Sequence, residues 1–292
     1  MTSTRQLKGR IRSVRNTRQI TKAMEMVAAS KMRRSQDATK ASAPYFQAAS
    51  SLLTFLASQV ATDEHPLFKR RKIKQRLIIF ITADKGLAGA YNSNAYKKYI
   101  ELLQRDKERT IKTKTIAVGR KASQFVSRLK DTEIVGTYED MPDYPAGLIF
   151  TTILNTATGM YERQEVDAVT VVYTNFVSSI RQEAVWMRLL PAGTELMSDP
   201  SEISDDTRDA KFEPDPASLL NAVTQRLVSS RLFQAFLDAR AAEHSMRMLA
   251  MKNASDNAGD IVDALTLEMN KARQAGITQE LSEISAGVEA MG

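Results

Sequence analysis

The stretch ASLLNAVTQRLVSSRLFQAFLDARAAEHSMRMLAMKNASDNAGDIVDALTLEMNKARQAGITQELSEISAGVEAM, Ala217–Met291, contains no proline, and its apolar residues return every three or four positions. That spacing is one face of an α-helix. At 1.5 Å rise per residue the helix would run roughly 100 Å, several times the width of a small domain. Its stripe reads Leu219, Val223, Leu227, Leu232 and Phe236, and thins through Ala239–Ala242. It resumes at Ile261, Leu265, Met269 and Ala272, then at Ile277, Leu281, Ile284 and Val288. Gly259 and Gly276 lie inside it, each costing about 1 kcal/mol relative to Ala, and mark bends or points of close contact. Asp215-Pro216 is the start signal, an N-cap followed by proline at the first helical position.

The other end of the chain reads the same way. A helix is expected from Thr4 to Gln59, with Pro44 as its one candidate kink or break. Its apolar positions are Leu7, Ile11, Val14, Ile20, Met24, Val27 and Met32, a thin stripe that skips around Arg18. Ala23, Ala28, Ala29, Ser30, Ala38, Ala41 and Ala43 suit close helix packing. A thin seam fits a two-helix shaft better than a thick globular core. Residues 1–40 hold eleven Lys or Arg against Glu25 and Asp37, whereas in residues 238–292 acids outnumber bases nine to five. A basic and an acidic helix in one chain can pair, and the two read as an antiparallel coiled coil carrying a head domain.

The period changes after His65-Pro66 and the basic cluster Lys69–Lys72. Leu77–Ile81 is a short apolar β-rich run closed by Thr82-Ala83-Asp84-Lys85-Gly86. Further strands are expected at Thr115–Val118, Glu133–Val135, Ala168–Tyr173 and Ala184–Leu190. Helices are expected at Ser93–Arg105, from Gly119 to Leu129, and at Ala146–Glu162. Strands alternating with helices give a largely parallel sheet. The last two strands form a hairpin around Asn175–Arg181, which makes an antiparallel edge. The division is 1–60 for the first coiled-coil helix, 67–215 for an inserted Rossmann-like α/β domain and 216–292 for the last helix. Residues 191–216, with four prolines and many acids, read as a loop that leads into that helix.

Catalytic chemistry is hard to find. With no cysteine, disulfides, thiolate metal sites and cysteine nucleophiles are excluded. The two histidines, His65 and His244, read as surface or capping residues, too few for zinc. There is no G-x-x-x-x-G-K-[ST] loop and no G-x-G-x-x-G. Ala83–Ala90 follows a strand and precedes a helix, where anions bind, but its glycine spacing matches no nucleotide motif. It reads as a tight βα turn, with Asp84 and Lys85 as a surface contact. No cofactor is expected. The basic first helix invites a nucleic-acid reading. Against it, residues 1–40 carry no aromatic residue to stack on bases, and an acidic partner helix sits in the same chain. The N-terminus has no apolar h-region and the helical pattern starts at once, so no leader is expected. No apolar run approaches the ~20 residues that cross a bilayer.

Three motifs carry a resemblance. Ile20-Thr21-Lys22-Ala23-Met24-Glu25-Met26-Val27-Ala28-Ala29-Ser30-Lys31-Met32 resembles the N-terminal helix of the gamma subunits of F-type ATP synthases. Met248–Ala258 and Asn270–Glu280 resemble their C-terminal helix, and Ile81–Asn92 and Phe212–Pro216 agree in the middle. The resemblance runs end to end, with one small departure, Val288 after Gly287 where the family carries a small residue. It implies a non-catalytic central-stalk rotor: a coiled coil inside a hexamer of alpha and beta subunits, and an α/β foot against the epsilon subunit and the membrane c-ring. One copy would serve each complex. By the same resemblance Lys22, Met24 and Arg247 contact beta subunits near the neck, and Arg273, Gln274, Thr278 and Glu280 contact a beta loop higher up. Localisation would be the cytoplasmic face of a bacterial plasma membrane. The absence of cysteine excludes the thiol switch of plant chloroplast members. Outside the resemblance, a static coiled-coil scaffold with an α/β head is the alternative.

Overall fold

The computed structural model describes residues 4–59, 65–130, 132–144, 147–193, 196 and 216–289. The chain divides into two units, Ala29–Met246 and Met1–Ala28 with Arg247–Gly292. Helix α1 (Thr4–Gln59) runs without interruption through Pro44. Between it and the last helix lie β1 (Gln75–Ile81), α2 (Tyr91–Glu108), β2 (Lys112–Val118), α3 (Arg120–Val126) and β3 (Glu133–Tyr138). Then come α4 (Leu148–Glu162), β4 (Ala168–Phe176), β5 (Gln182–Leu190) and α5 (Pro216–Glu289).

In the larger unit the strands form one sheet in the order β3-β2-β1-β4-β5. All neighbours are parallel except β4 and β5, which form the expected hairpin with Val172 opposite Trp186. The alternation of side chains along a strand builds two cores. Leu77, Ile79 and Ile81 point to one face, with Ile116, Val118, Val169 and Val171, against α4 and parts of α1 and α5. Ile78 and Phe80 point to the other, with Ala117 and Val172, against α2 and α3. There Phe80 stacks on Tyr99 at 4.4 Å and Tyr96 on Phe125 at 4.2 Å. A strand covered on both faces has no polar alternation, and all five residues Leu77–Ile81 are buried.

Strand β1 begins two residues before the apolar run because Arg76 has partners of its own. Its Nε donates to Asp106 Oδ2 at 2.7 Å and its Nη1 to Thr170 Oγ1 at 2.8 Å. Helix α3 stops at Val126, short of Leu129, in a turn closed by Arg128 and Leu129 amides. The expected loop 191–216, the Phe212–Pro216 motif and the Asp215 cap lie almost wholly outside the described residues.

The smaller unit is a pair of helix segments with a heptad seam. On α1 the inward positions are Leu7, Ile11, Val14, Arg18, Thr21, Glu25 and Ala28, spaced alternately four and three; Leu7, Ile11, Thr21 and Ala28 are buried. On α5, Met251, Ser255, Ala258, Val262, Leu265, Met269, Ala272 and Gly276 repeat that spacing, and the first four are buried. A strict 3.5-residue period is the signature of a coiled coil. The sequence stripe was placed one residue off in part. Ile20 and Val27 are exposed, and Thr21 and Ala28 take the seam. Ile261, Ile277, Leu281 and Ile284 are also exposed. Hydrophobicity alone cannot separate two neighbouring apolar positions, but the size of the residue that the seam admits can. Gly259 is a point of close contact, since a Cβ there would lie 3.2 Å from Arg18 Cζ, whereas Gly276 has open space. Arg18, at a seam position by spacing, is itself exposed, and its guanidinium lies over Gly259.

Two positions in the larger unit give direct tests. Gly119 has φ +94° and closes β2 against the Thr82 carbonyl, inside contact distance of any added Cβ. Gly119→Ala is expected to lose about 3 kcal/mol or more of stability, combining positive φ with a backbone clash. Urea unfolding followed by Trp186, the one tryptophan, reads it. Asp238 on α5 is desolvated by burial, which pushes its pKa up to about 6, partly offset by the amide of Gln234 at 3.1 Å. A carboxyl with a raised folded pKa contributes stability that is complete below about pH 4 and lost as pH rises through about 6. Asp238→Asn is thus expected to raise Tm at pH 8 by about 3 °C and to give no gain at pH 4, as read by thermal melts at the two pH values.

Candidate partner-contact surface

In an open α/β sheet a ligand binds outside the carboxyl ends of the strands where the strand order reverses. Here that point lies between β1 and β4, and the chain fills it with its own last helix. Ala83, Ala88 and Tyr91 form a buried cluster with Ala242 of α5, and Phe176 and Met246 pack on it. The Tyr91 hydroxyl donates to the Ala239 carbonyl at 3.1 Å. The turn Ala83–Ala90 is the expected tight βα connection, with Leu87 and Gly89 at positive φ. Helix α5 lies across it, with Ala242 packed on Ala83 and Ala88.

Asp84 is not the surface residue expected from sequence. One carboxylate oxygen accepts the backbone N–H groups of Arg120 and Asp140, each at 3.0 Å, and the other faces Arg240 at 3.4 Å. Arg240 is 8% exposed and donates also to Glu243 at 2.8 Å and to the Met141 carbonyl. Burial works against its charge, and the neighbouring Glu243 carboxylate more than restores it, so its pKa is raised. His244 is also a correction: it is buried, and its Nε2 donates to Asp143 Oδ1 at 3.0 Å. The other Asp143 oxygen pairs with Lys31 at 2.9 Å. The His244 hydrogen bond first, then Lys31, holds the Asp143 carboxyl well below the usual range. These pairings are invisible in the sequence, because Asp84–Arg240 and Asp143–His244 join residues 156 and 101 positions apart.

The seven residues singled out by resemblance all belong to the smaller unit. Lys22 is exposed and pairs with Glu25 at 3.0 Å, while Met24 and Arg247 are half-buried. Arg273, Gln274, Thr278 and Glu280 are exposed, and Thr278 Oγ1 donates to the Gln274 carbonyl at 3.0 Å. Arg273 and Glu280, seven residues apart, share one face of α5; Gln274 and Thr278 share the adjacent one. Along the helix axis Arg273 stands ~40 Å from Arg247, so the seven residues form two separate zones and not one site. Sequence reasoning missed a second element of this surface. Ile20 (61% exposed), Met26, Val27, Ile261, Leu267, Ile277, Leu281 and Ile284 are apolar side chains outside the seam. The available signal was the heptad register, which leaves each of them facing outward.

None of the helices, among the described residues, is long and apolar enough to cross a membrane. The family model described as ATP synthase matches residues 3–291. An ATP synthase gamma chain from Opitutus terrae is 39% identical over 98% of both chains, and one from Xylella fastidiosa is 37% identical over the full length of both. A chain in the central stalk and c-ring structure of the Tetrahymena thermophila mitochondrial ATP synthase superposes with a TM-score of 0.57 at 26% identity. That match covers 81% of this chain and 99% of the other. With a coiled coil of its two ends, an α/β insert whose ligand crevice is closed, and this full-length similarity, the chain belongs to the gamma-chain family of ATP synthases.

Proposed function

We propose that this chain is the central rotor of a proton-translocating ATP synthase, one copy per complex, at the cytoplasmic face of a bacterial plasma membrane. Its coiled coil turns inside the alpha–beta hexamer, and its α/β domain contacts the epsilon subunit and the membrane c-ring. The chain holds no catalytic group for ATP chemistry; it acts by contact. The observation that carries the reading is the row of apolar side chains outside the seam of the smaller unit. Fully burying one such Ile or Leu is worth about 1.5–3 kcal/mol, and a helix pair that exposes eight of them is made to be surrounded. A static scaffold would need the same burial, but the full-length match to gamma chains favours the rotor.

The mechanism follows from differential contact. A face that binds one beta conformation better than another by about 1.4 kcal/mol sets a tenfold population ratio between them. As the pair turns, each beta subunit meets a different face and its equilibrium shifts. Lys22, Met24 and Arg247 supply the lower contacts, and Arg273, Gln274, Thr278 and Glu280 the upper ones. The basic surface of α1 faces acidic segments of the beta subunits.

Adding this chain to purified alpha and beta subunits is expected to give stoichiometric incorporation and a large rise in Mg-ATPase activity; neither occurring would remove the rotor assignment. Two variants test the lower contacts. The exposed Lys22–Glu25 pair is worth at most about 1 kcal/mol to folding, so Lys22→Asp should leave the melting temperature almost unchanged. ATP-driven proton pumping by Lys22→Asp and Arg247→Ala assemblies is expected to drop below about half of the unmodified value. Unimpaired pumping in both would count against these contacts.

A further inference from the structure

Helix α5 crosses the carboxyl edge of the sheet on a bed of small side chains. Ala83, Ala88, Ala239 and Ala242 are all buried there. Contacts between methyl groups are non-directional. They hold the helix to the sheet, yet they oppose twisting of the helix about its own axis only weakly. Arg240 enters this bed and is bonded in three directions: to Glu243 on its own helix, to Asp84 after β1, and to the Met141 carbonyl after β3. Asp84 is itself fixed by the amides of Arg120, after β2, and Asp140. One turn further on, His244 holds Asp143, which also binds Lys31 of α1. Thus the ends of β1, β2 and β3 are tied to α5 by charge-assisted bonds, and the loop after β3 is tied to α1 as well.

Stability does not explain this arrangement. Replacing a buried ion cluster by apolar residues of similar volume often leaves a protein equally or more stable. What directional bonds add is a fixed rotational register between the two bodies they join. We propose that Arg240, seated against Asp84, Glu243 and the Met141 carbonyl, is the pin that sets the torsional stiffness between the α/β domain and helix α5, and so a positioning residue for rotary coupling. The inference rests on the rotor reading. Torque entering at the α/β domain reaches α5 through this contact together with the Tyr91–Ala239 and Ser245–Ser179 hydrogen bonds and the apolar packing of Leu227, Leu232 and Phe236, and without the pin the helix twists further under load.

The test is single-molecule rotation of the assembled alpha–beta–gamma complex with the hexamer fixed to a surface. The chain has no cysteine, so Leu148→Cys, at a site 83% exposed on the α/β domain, carries a bead. Three forms are compared on that background: unmodified, Arg240→Met, and the neutral triple variant Arg240→Met, Asp84→Asn, Glu243→Gln. The triple variant leaves no buried charge unpaired, so it decides the matter if Arg240→Met alone fails to fold. ATPase activity in the triple variant is expected to stay within about twofold of unmodified, while the angular variance at each dwell widens by at least about 1.5-fold. Arg240→Lys, which keeps the charge but not the three-way reach, should fall between. A simply structural role would lower yield and melting temperature and leave the variance of assembled molecules unchanged; that result overturns the pin. Absence of rotation in the unmodified complex would instead overturn the rotor reading itself.

Discussion

A parallel sheet ends in an open crevice, and in this chain the last helix occupies it. Most of the larger unit depends on that one placement. Because Ala239 and Ala242 of α5 lie against the turn after β1, that turn must be built from small residues, and Ala83 and Ala88 supply them. Because α5 passes so close, the backbone groups exposed at the strand ends need partners that reach under it. Asp84 accepts two amides and Arg240 takes a carbonyl. The same placement removes the site where an α/β domain would do chemistry.

The coiled-coil unit solves a different problem with similar means. Its seam contains Thr21, Ser255 and two alanines, Ala28 and Ala258. Each gives less burial than the leucines of a stable two-stranded coil. Larger apolar side chains such as Ile20, Ile261, Leu267 and Leu281 sit outside the seam. A pair assembled this way keeps its helices close and slender, and it holds back apolar surface for whatever surrounds it. Arg18 opposite Gly259 shows the constraint most clearly. Its guanidinium lies over Gly259, where an added Cβ would come within 3.2 Å of Cζ, while the arginine itself stays exposed.

The legibility of the sequence follows the range of the interactions. Strand β1 was legible because burial on both faces leaves an unbroken apolar run. The β4–β5 hairpin was legible from two such runs and a short polar interval. Helix α1 was legible as one helix over Thr4–Gln59. Strand starts were missed where a polar residue such as Arg76 joins the sheet through Asp106, a partner 30 residues away. The seam was misplaced by one residue at Ile20 and Val27, because neighbouring apolar residues carry equal weight in a periodicity and only the facing helix decides between them. The Arg240 cluster was invisible: a single charge among alanines looks like a solvated face until Asp84 and Met141 are brought to it.

The side chains left facing outward have a further physical meaning. They are non-aromatic, and no aromatic residue occurs from Leu237 onward. Interfaces meant to persist concentrate their energy in a few buried aromatic or arginine anchors. A surface that meets several partners in turn cannot do so, since each anchor would have to be extracted at every step and would set a barrier of its own full burial energy. Spreading the same apolar area over several Ile, Leu, Met and Val side chains divides that barrier into smaller, separately broken contacts. The aromatics sit instead in the larger unit, in pairs such as Phe80–Tyr99 and Phe150–Phe236 that never need to part. The distribution of aromatic residues along this chain thus separates what must hold from what must let go.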